Sequence, residues 1–314
     1  MQKNATHFKE YGKSIAKGGF MHFTGTIWRP PYEAWSALLQ VTAGCTHHQC
    51  KFCTLYDDVP FKFRMSQESE IEEDIRELRR IVPGATRLFL TGANPFVLSS
   101  EKLRRIAFLA KQHLPKLKTL GCFARITDIA SKSIEELKQL RSAGYNGITI
   151  GVETGDDDAL AFMCKGYASA DILEQCRKLD EAAIEYNFFY LTGISGKGNG
   201  ERGAKRTLAI FNQLQPKIVG ASMLTVCAKS ELYAEIQNEN WAEESETEKY
   251  RELRTLVEGL EIPTHFAALG ASNAVQLHGN LPHDRAELIS EIDGILRKFS
   301  EDELSQYRKN LRHL

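Results

Sequence analysis

A chain of 314 residues, 42% hydrophobic and 26% charged, has ordinary globular composition. It exceeds a typical single domain, although a (β/α) barrel reaches this size as one unit. A net charge of −1 argues against a strongly electrostatic grip on nucleic acid. No apolar run is long enough to span a membrane, and the N-terminus lacks the apolar region of a signal peptide. Seven cysteines in such a chain read as cytosolic thiols and ligands rather than disulfides, so the expected compartment is the cytoplasm.

Residues 1–36 form an N-terminal extension ending in Trp28-Arg29-Pro30-Pro31-Tyr32-Glu33. Paired prolines exclude a helix interior, so the segment should lie extended outside the core, with Phe20, Phe23 and Trp28 packing on it. The apolar run from Ala37 to Val41 is the first predicted strand. It leads through Thr42-Ala43-Gly44 into Cys45-Thr46-His47-His48-Gln49-Cys50-Lys51-Phe52-Cys53, which puts three thiols within nine residues. Three is one fewer than the four that saturate an iron–sulfur cluster or a structural zinc. A [4Fe–4S] cluster held this way keeps one iron open. The alternative is a zinc knuckle with His47, His48 or a distant residue as fourth ligand, but such close histidines are awkward and there is no second C-x2-C pair.

The pattern then alternates. Ser66 to Val82 is a predicted helix with Ile71, Ile75, Leu78 and Ile81 on one face, stopped by Pro83-Gly84. Arg87 to Leu90 is a strand, and a helix runs from near Ser99 to before Pro115. Thr119 to Ile126 is a strand. Ser133-x-x-Glu136 caps the next helix, and Gly144 closes it. Strands follow at Gly147 to Val152, Phe188 to Leu191 and Ile218 to Val226, with a helix from Ser169 to Ala183 and another after the glycine-rich loop at 193–200. Six strand–helix repeats define an α/β fold, a parallel sheet curved into a partial or complete barrel over residues 37–231. Residues 232–314 read as a mainly helical extension closing the barrel. Its apolar stripes are Tyr250, Leu253, Leu256, Val257 and Leu260, then Leu288, Ile292, Ile295, Leu296 and Phe299. An added strand is expected at Thr264 to Leu269, a cap at Asp284-x-x-Glu287 and another at Ser300-x-x-Glu303.

At the cysteine loop the chain resembles the radical S-adenosylmethionine (SAM) superfamily. The common spacing there is C-x3-C-x2-C with an aromatic before the third cysteine, a position Phe52 fills; this chain reads C-x4-C-x2-C. Arg29-Pro30-Pro31 also resembles entry segments in that family. The resemblance covers roughly 37–233. It implies an open partial (β/α)6 TIM-like barrel, a [4Fe–4S] cluster on Cys45, Cys50 and Cys53, and SAM on the open iron. It further implies an external one-electron reductant of the flavodoxin or ferredoxin type and hydrogen abstraction from a small-molecule substrate. A non-catalytic iron–sulfur or zinc-binding module on a barrel scaffold is the competing reading.

Loops after parallel strands gather at one face, so the residues ending the strands should surround the thiols. Thr91, Gly92 and Asn94 sit where the family carries a glycine-rich motif for the SAM amino group. Glu153 ends a glycine-bounded strand and is expected to contact the cofactor; its other reading is a cap on the turn at Gly155. Arg125 suits a carboxylate, or pairs with Asp128 or Glu153. Gly193, with Gly196, Gly198 and Gly200, resembles the glycine-rich turn after strand five. Lys165 resembles a lysine–glycine element after strand four and reads equally as a surface lysine. Cys122, Cys164, Cys176 and Cys227 read mostly as small buried hydrophobes. His265, His278 and His283 lie in the part expected to cover the barrel mouth, where Ser272-Asn273 and His278-Gly279 are candidate substrate contacts; each lone histidine reads otherwise as structural or solvent-facing. The chain is expected to carry no vitamin B12 domain, auxiliary-cluster domain or acetyltransferase region, which leaves the substrate open.

Overall fold

The computed structural model describes residues 21–310, so the expectation for Phe20 lies outside the described residues. The strands are β1 (Ala37–Gln40), β2 (Thr42–Gly44), β3 (Phe63–Met65), β4 (Arg87–Thr91), β5 (Thr119–Ala124), β6 (Ile148–Glu153), β7 (Tyr186–Thr192), β8 (Ile218–Met223), β9 (Thr264–Ala268) and β10 (Leu277–Leu281). The helices are α1 (Glu68–Ile81), α2 (Ser100–His113), α3 (Ile126–Ala130), α4 (Ile134–Ala143), α5 (Asp157–Phe162), α6 (Ser169–Glu181), α7 (Gly200–Phe211), α8 (Glu231–Gln237), α9 (Glu246–Gly259), α10 (Arg285–Lys298) and α11 (Glu301–Lys309). One sheet runs β1-β4-β5-β6-β7-β8-β9-β10, and β2 pairs separately with β3. Every pairing in the large sheet is parallel except β10 on β9. The first six parallel strands are the expected partial barrel. No helix among the described residues is long and apolar enough to cross a membrane.

The local signals act as expected. Ile71, Ile75 and Leu78 are buried under α1, and the Ser133–Glu136 capping box starts α4, which ends at left-handed Gly144. Buried runs in β1, β4 and β6 reflect helices on the outside and side chains within, as a parallel sheet requires. The short helices α3 and α5 have no counterpart in the predicted pattern.

The N-terminal segment is pinned rather than merely laid on the core. His22 bonds Asp74 through its N–H and Nδ1, at 3.0 and 2.8 Å. Buried Glu33 accepts from the Arg87 guanidinium, which also donates to Thr119 Oγ1 at 3.1 Å and to the carbonyls of Asn146 and Gly147. One ion pair thereby ties the starts of β4 and β5 to the approach of β6, at the end of the sheet opposite the cysteine loop.

Beyond residue 232 the helices α8 to α11 form as expected, and two strands also join the sheet. β9 extends it in parallel beside β8, and β10 adds an antiparallel edge. Asp284 starts α10 but does not cap it with its side chain, which instead accepts from the Asn280 N–H at 2.6 Å. The apolar stripe of α9 is fully buried: Tyr250, Leu253, Leu256, Val257 and Leu260 all belong to the main core.

This packing takes charge into the interior. Glu252 on α9 is wholly buried and accepts from Tyr190 Oη on β7 and from the Gly193 N–H at 2.6 Å. Lys249 is also wholly buried, paired with Glu243 at 2.6 Å and Glu246 at 3.1 Å. Burial, with Glu252 beside it, pushes Glu244 up to about 9. A carboxyl whose folded value exceeds its unfolded one stabilises the fold below the ordinary carboxylate range, and that stability fades as pH rises toward the raised value. Glu244→Gln should therefore raise the melting temperature at about pH 9 and leave it nearly unchanged at about pH 4. Thermal melts of both proteins across that range check it, and a parallel pH dependence in the two would contradict it.

Candidate metal and cofactor site

The cysteine loop is a hairpin insertion. β2 enters it and β3 leaves it, with Gly44 paired to Phe63. Gly44 has φ +75°, and a side chain there would run into the Lys62 carbonyl, which accepts from the Cys45 N–H at 2.8 Å. Glycine is needed at that crossing. The Cys53 N–H donates to the Cys50 carbonyl at 3.0 Å, closing the turn between them. All three thiols are half-buried and free of disulfides. Burial pushes Cys50 up, against the nearby Lys165 and Arg125 charges, and pushes Cys53 up to about 12.

Asn94 is wholly buried and spans the loop and its support. Its Nδ2 donates to Thr46 Oγ1 at 2.7 Å and to Asp128 Oδ1 at 3.0 Å, while its Oδ1 faces the Thr46 N–H at 3.4 Å. Asp128 also accepts from the Arg125 N–H at 2.8 Å, and burial pushes its carboxyl up to about 6. Thr91 Oγ1 donates to the Trp28 carbonyl at 2.7 Å. Gly92, at φ +123°, leaves room for Thr42, whose side chain and carbonyl a Cβ would strike. Asn94 therefore braces the cysteine loop, and Thr91 and Gly92 form close packing behind it.

Glu153 lies where the register between β6 and β7 shifts, with φ +64°. Its carboxylate pairs with Lys165 Nζ at 3.1 Å, with side-chain exposures of 13% and 5%. Lys165 also donates to the Gly151 carbonyl at 3.0 Å, as does Tyr167 Oη at 2.8 Å. Burial pulls the Lys165 amine down, but the Glu153 carboxylate, together with Tyr167 and Cys50, outweighs this and leaves it raised. The capping role for Glu153 at Gly155 does not arise, because the Gly155 N–H donates to Thr207 Oγ1 at 2.7 Å. The Arg125 guanidinium donates to Thr127 Oγ1 at 3.0 Å and to the Lys165 carbonyl, and stands 5.8 Å from the Tyr167 ring centroid.

Phe52 packs on a second apolar cluster of Met163, Ile194, Leu224 and Leu232, with Lys165 Nζ 5.8 Å from its ring centroid. The histidines of the loop are committed elsewhere. His47 Nε2 meets the Cys164 carbonyl at 2.6 Å, and His48 pairs with Asp57 at 3.3 Å. Among the described residues, no three His, Cys, Asp or Glu side chains gather closely enough to hold one metal ion. Three unpaired thiols beside two cations suit a cluster with thiolate ligands and net negative charge better than a single ion.

The structure thus brings Arg125, Glu153 and the cysteines together. Gly193 lies further along, against the Lys249 side chain, with its N–H on Glu252. His265 pairs in register with Ile218 at the start of β8, the end away from the cysteine loop, with the His278 ring 5.9 Å away and tilted by 42°. His283 is exposed and bonded to Asp284. Ser272 and Asn273 cover the other end of β8, bonding the Met223 N–H at 3.1 Å and the Ala221 carbonyl at 3.0 Å. Tyr167 had no sequence signal. Lys165 had one, its Lys-Gly step, but nothing local distinguished a buried lysine from an exposed one.

The radical SAM superfamily model matches residues 39–204, more than half of the chain, and the chain belongs to that superfamily, whose cofactors are a [4Fe–4S] cluster and SAM. The heme chaperone HemW of Bacillus subtilis (strain 168) is 24% identical over 147 residues, which cover 44% of this chain and 37% of HemW. The chain thus spans little more than a third of the length of that curated relative. Among solved structures, the radical SAM methyltransferase TsrM from Kitasatospora setae, with cobalamin and a [4Fe–4S] cluster bound, is 19% identical. It superposes with a TM-score of 0.54 over 65% of this chain and 39% of TsrM. Methylornithine synthase (PylB) is 14% identical with a TM-score of 0.52, over 87% of this chain and 85% of that one. At these identities the likeness is one of fold.

The buried pair generates a stability test. Lys165→Met strands a nearly buried carboxylate and should cost about 3 kcal/mol, whereas Lys165→Met with Glu153→Gln should recover much of that. Denaturant titrations of the three proteins check this; equal stability of the single variant and wild type would remove the pair's structural role.

Proposed function

We propose that Cys45, Cys50 and Cys53 hold a [4Fe–4S] cluster whose open iron binds SAM, and that the protein is a radical SAM enzyme acting on a small-molecule substrate. The observation that carries this reading is the position of the three unpaired thiols. They sit on a hairpin after β1, with Arg125 and Glu153 converging from the ends of β5 and β6 and Lys165 from the connection between α5 and α6. When bound, the cluster and SAM supply reductive cleavage of the sulfonium to a 5′-deoxyadenosyl radical that takes hydrogen from substrate.

The chain's own residues bind and orient. Glu153 offers a carboxylate to the SAM ammonium, and Arg125 offers a planar fork of donors to its carboxylate. Asn94 fixes the loop through Thr46, and Phe52 seats it on the second apolar cluster. Thr91 and Gly92 pack behind the loop and support it from that side. Residues 232–314 complete the wall of the site and help exclude water from it; the contact of α8 with the cysteine loop supports this. The electron comes from an external donor of the flavodoxin or ferredoxin type, and the compartment is the cytoplasm.

Anaerobic reconstitution should yield about four irons and four sulfides per chain, and Cys45→Ala, Cys50→Ala and Cys53→Ala should each lose most of them. One tightly held zinc with no iron–sulfur chromophore would overturn the assignment.

Glu153→Gln and Arg125→Ala should retain iron and weaken SAM binding by about tenfold or more, the effect of losing a charge-assisted hydrogen bond worth roughly 1.5–3 kcal/mol. Equilibrium binding of SAM to reconstituted protein reads this directly. Unchanged affinity in both variants would remove these side chains from the cofactor site.

A further inference from the structure

Lys51 lies between the second and third cysteines, and two separate elements, the end of α5 and the helix α8, meet on it. Its N–H donates to the Met163 carbonyl at 3.2 Å, in the connection between α5 and α6. Its carbonyl accepts from the Leu232 N–H at 2.8 Å, on α8. Its ammonium bonds Glu235 on the same helix, stands 3.7 Å from Glu231, and lies 4.6 Å from the Phe162 ring centroid. The pair is largely enclosed, with 15% exposure for Lys51 and 17% for Glu235. Leu232 is wholly buried in the apolar cluster that also receives Phe52, so the same helix holds both Lys51 and the residue after it.

We infer that Lys51 is a positioning residue through which α8 sets the geometry and the charge environment of the Cys50–Cys53 turn. The inference rests on the cysteine assignment proposed above. A flexible surface lysine would leave that turn to its own backbone; here its two backbone bonds run to different elements and its charge is neutralised by a third contact. An iron–sulfur centre responds to local charge, hydrogen bonds to its ligands and exposure. Removing the Lys51 ammonium leaves the Glu235 carboxylate beside the turn. Removing the carboxylate leaves the ammonium.

The test is the reduction potential of reconstituted protein, followed by spectroelectrochemistry together with iron content. Lys51→Met should shift the potential downward and Glu235→Gln upward, and Lys51→Arg should stay near wild type. Opposite signs from two partners of one contact separate a charge-positioning role from loss of packing, which would move both the same way. If either single variant fails to hold iron, the exchanged pair Lys51→Glu with Glu235→Lys decides, because recovery of iron in that protein supports the contact and its failure overturns it. Unmoved potentials, or shifts of one sign, in fully loaded variants overturn the inference and leave the cysteine assignment intact. A wild-type chain that takes up no cluster overturns that assignment, and this inference with it.

Discussion

Around the Glu153–Lys165 ion pair, charges that burial would otherwise penalise are made mutually necessary. Either group alone, at its observed exposure, would be an uncompensated charge in a poorly solvated place. Together they permit an unfavourable backbone: Glu153 occupies the left-handed region, which costs a non-glycine residue roughly 1–2 kcal/mol. The register shifts between Gly151 and Glu153, and Lys165 and Tyr167 both bond the Gly151 carbonyl. The Lys165 carbonyl then receives Arg125, and the neighbouring Cys164 carbonyl receives His47. A short connection after α5 thereby becomes a wall against which two strand ends and the cysteine loop all rest.

The loop itself is held from two sides by elements distant in sequence. On one side Asn94 and Asp128 fix Thr46 through buried hydrogen bonds. On the other, α8 fixes Lys51 and buries Leu232 beside Phe52. The apolar cluster under this side is separate from the main core and draws on the ends of β7 and β8 as well as the extension. Solved structures at 19% and 14% identity share the fold of this chain.

Much of this was legible in the order of residues. Helical periodicity marked α1 and α9, the Ser133 and Ser300 boxes marked two helix starts, and alternation of strand and helix implied a parallel sheet. Three closely spaced cysteines after a strand, and a glutamate ending a glycine-bounded strand, followed from local spacing together with the rule that strand ends share a face. Those signals are local, and local chemistry decides them.

What the tertiary structure alone decided was pairing across distance. Lys165 is spaced like a surface lysine, and only the return of its loop over β6 buries it against Glu153. Lys51 meets Glu235 across 184 positions, a separation that no periodicity reports. The helices α3 and α5 are too short to show a repeating face, and β10 exists because an edge of β9 was available to pair with it. His265 belongs to the far end of the sheet because the register of β9 on β8 puts it beside Ile218. Spacing in the chain determines which face a side chain shares with its neighbours; which distant group it meets there is set by strand order and register, and these form only when the whole sheet does.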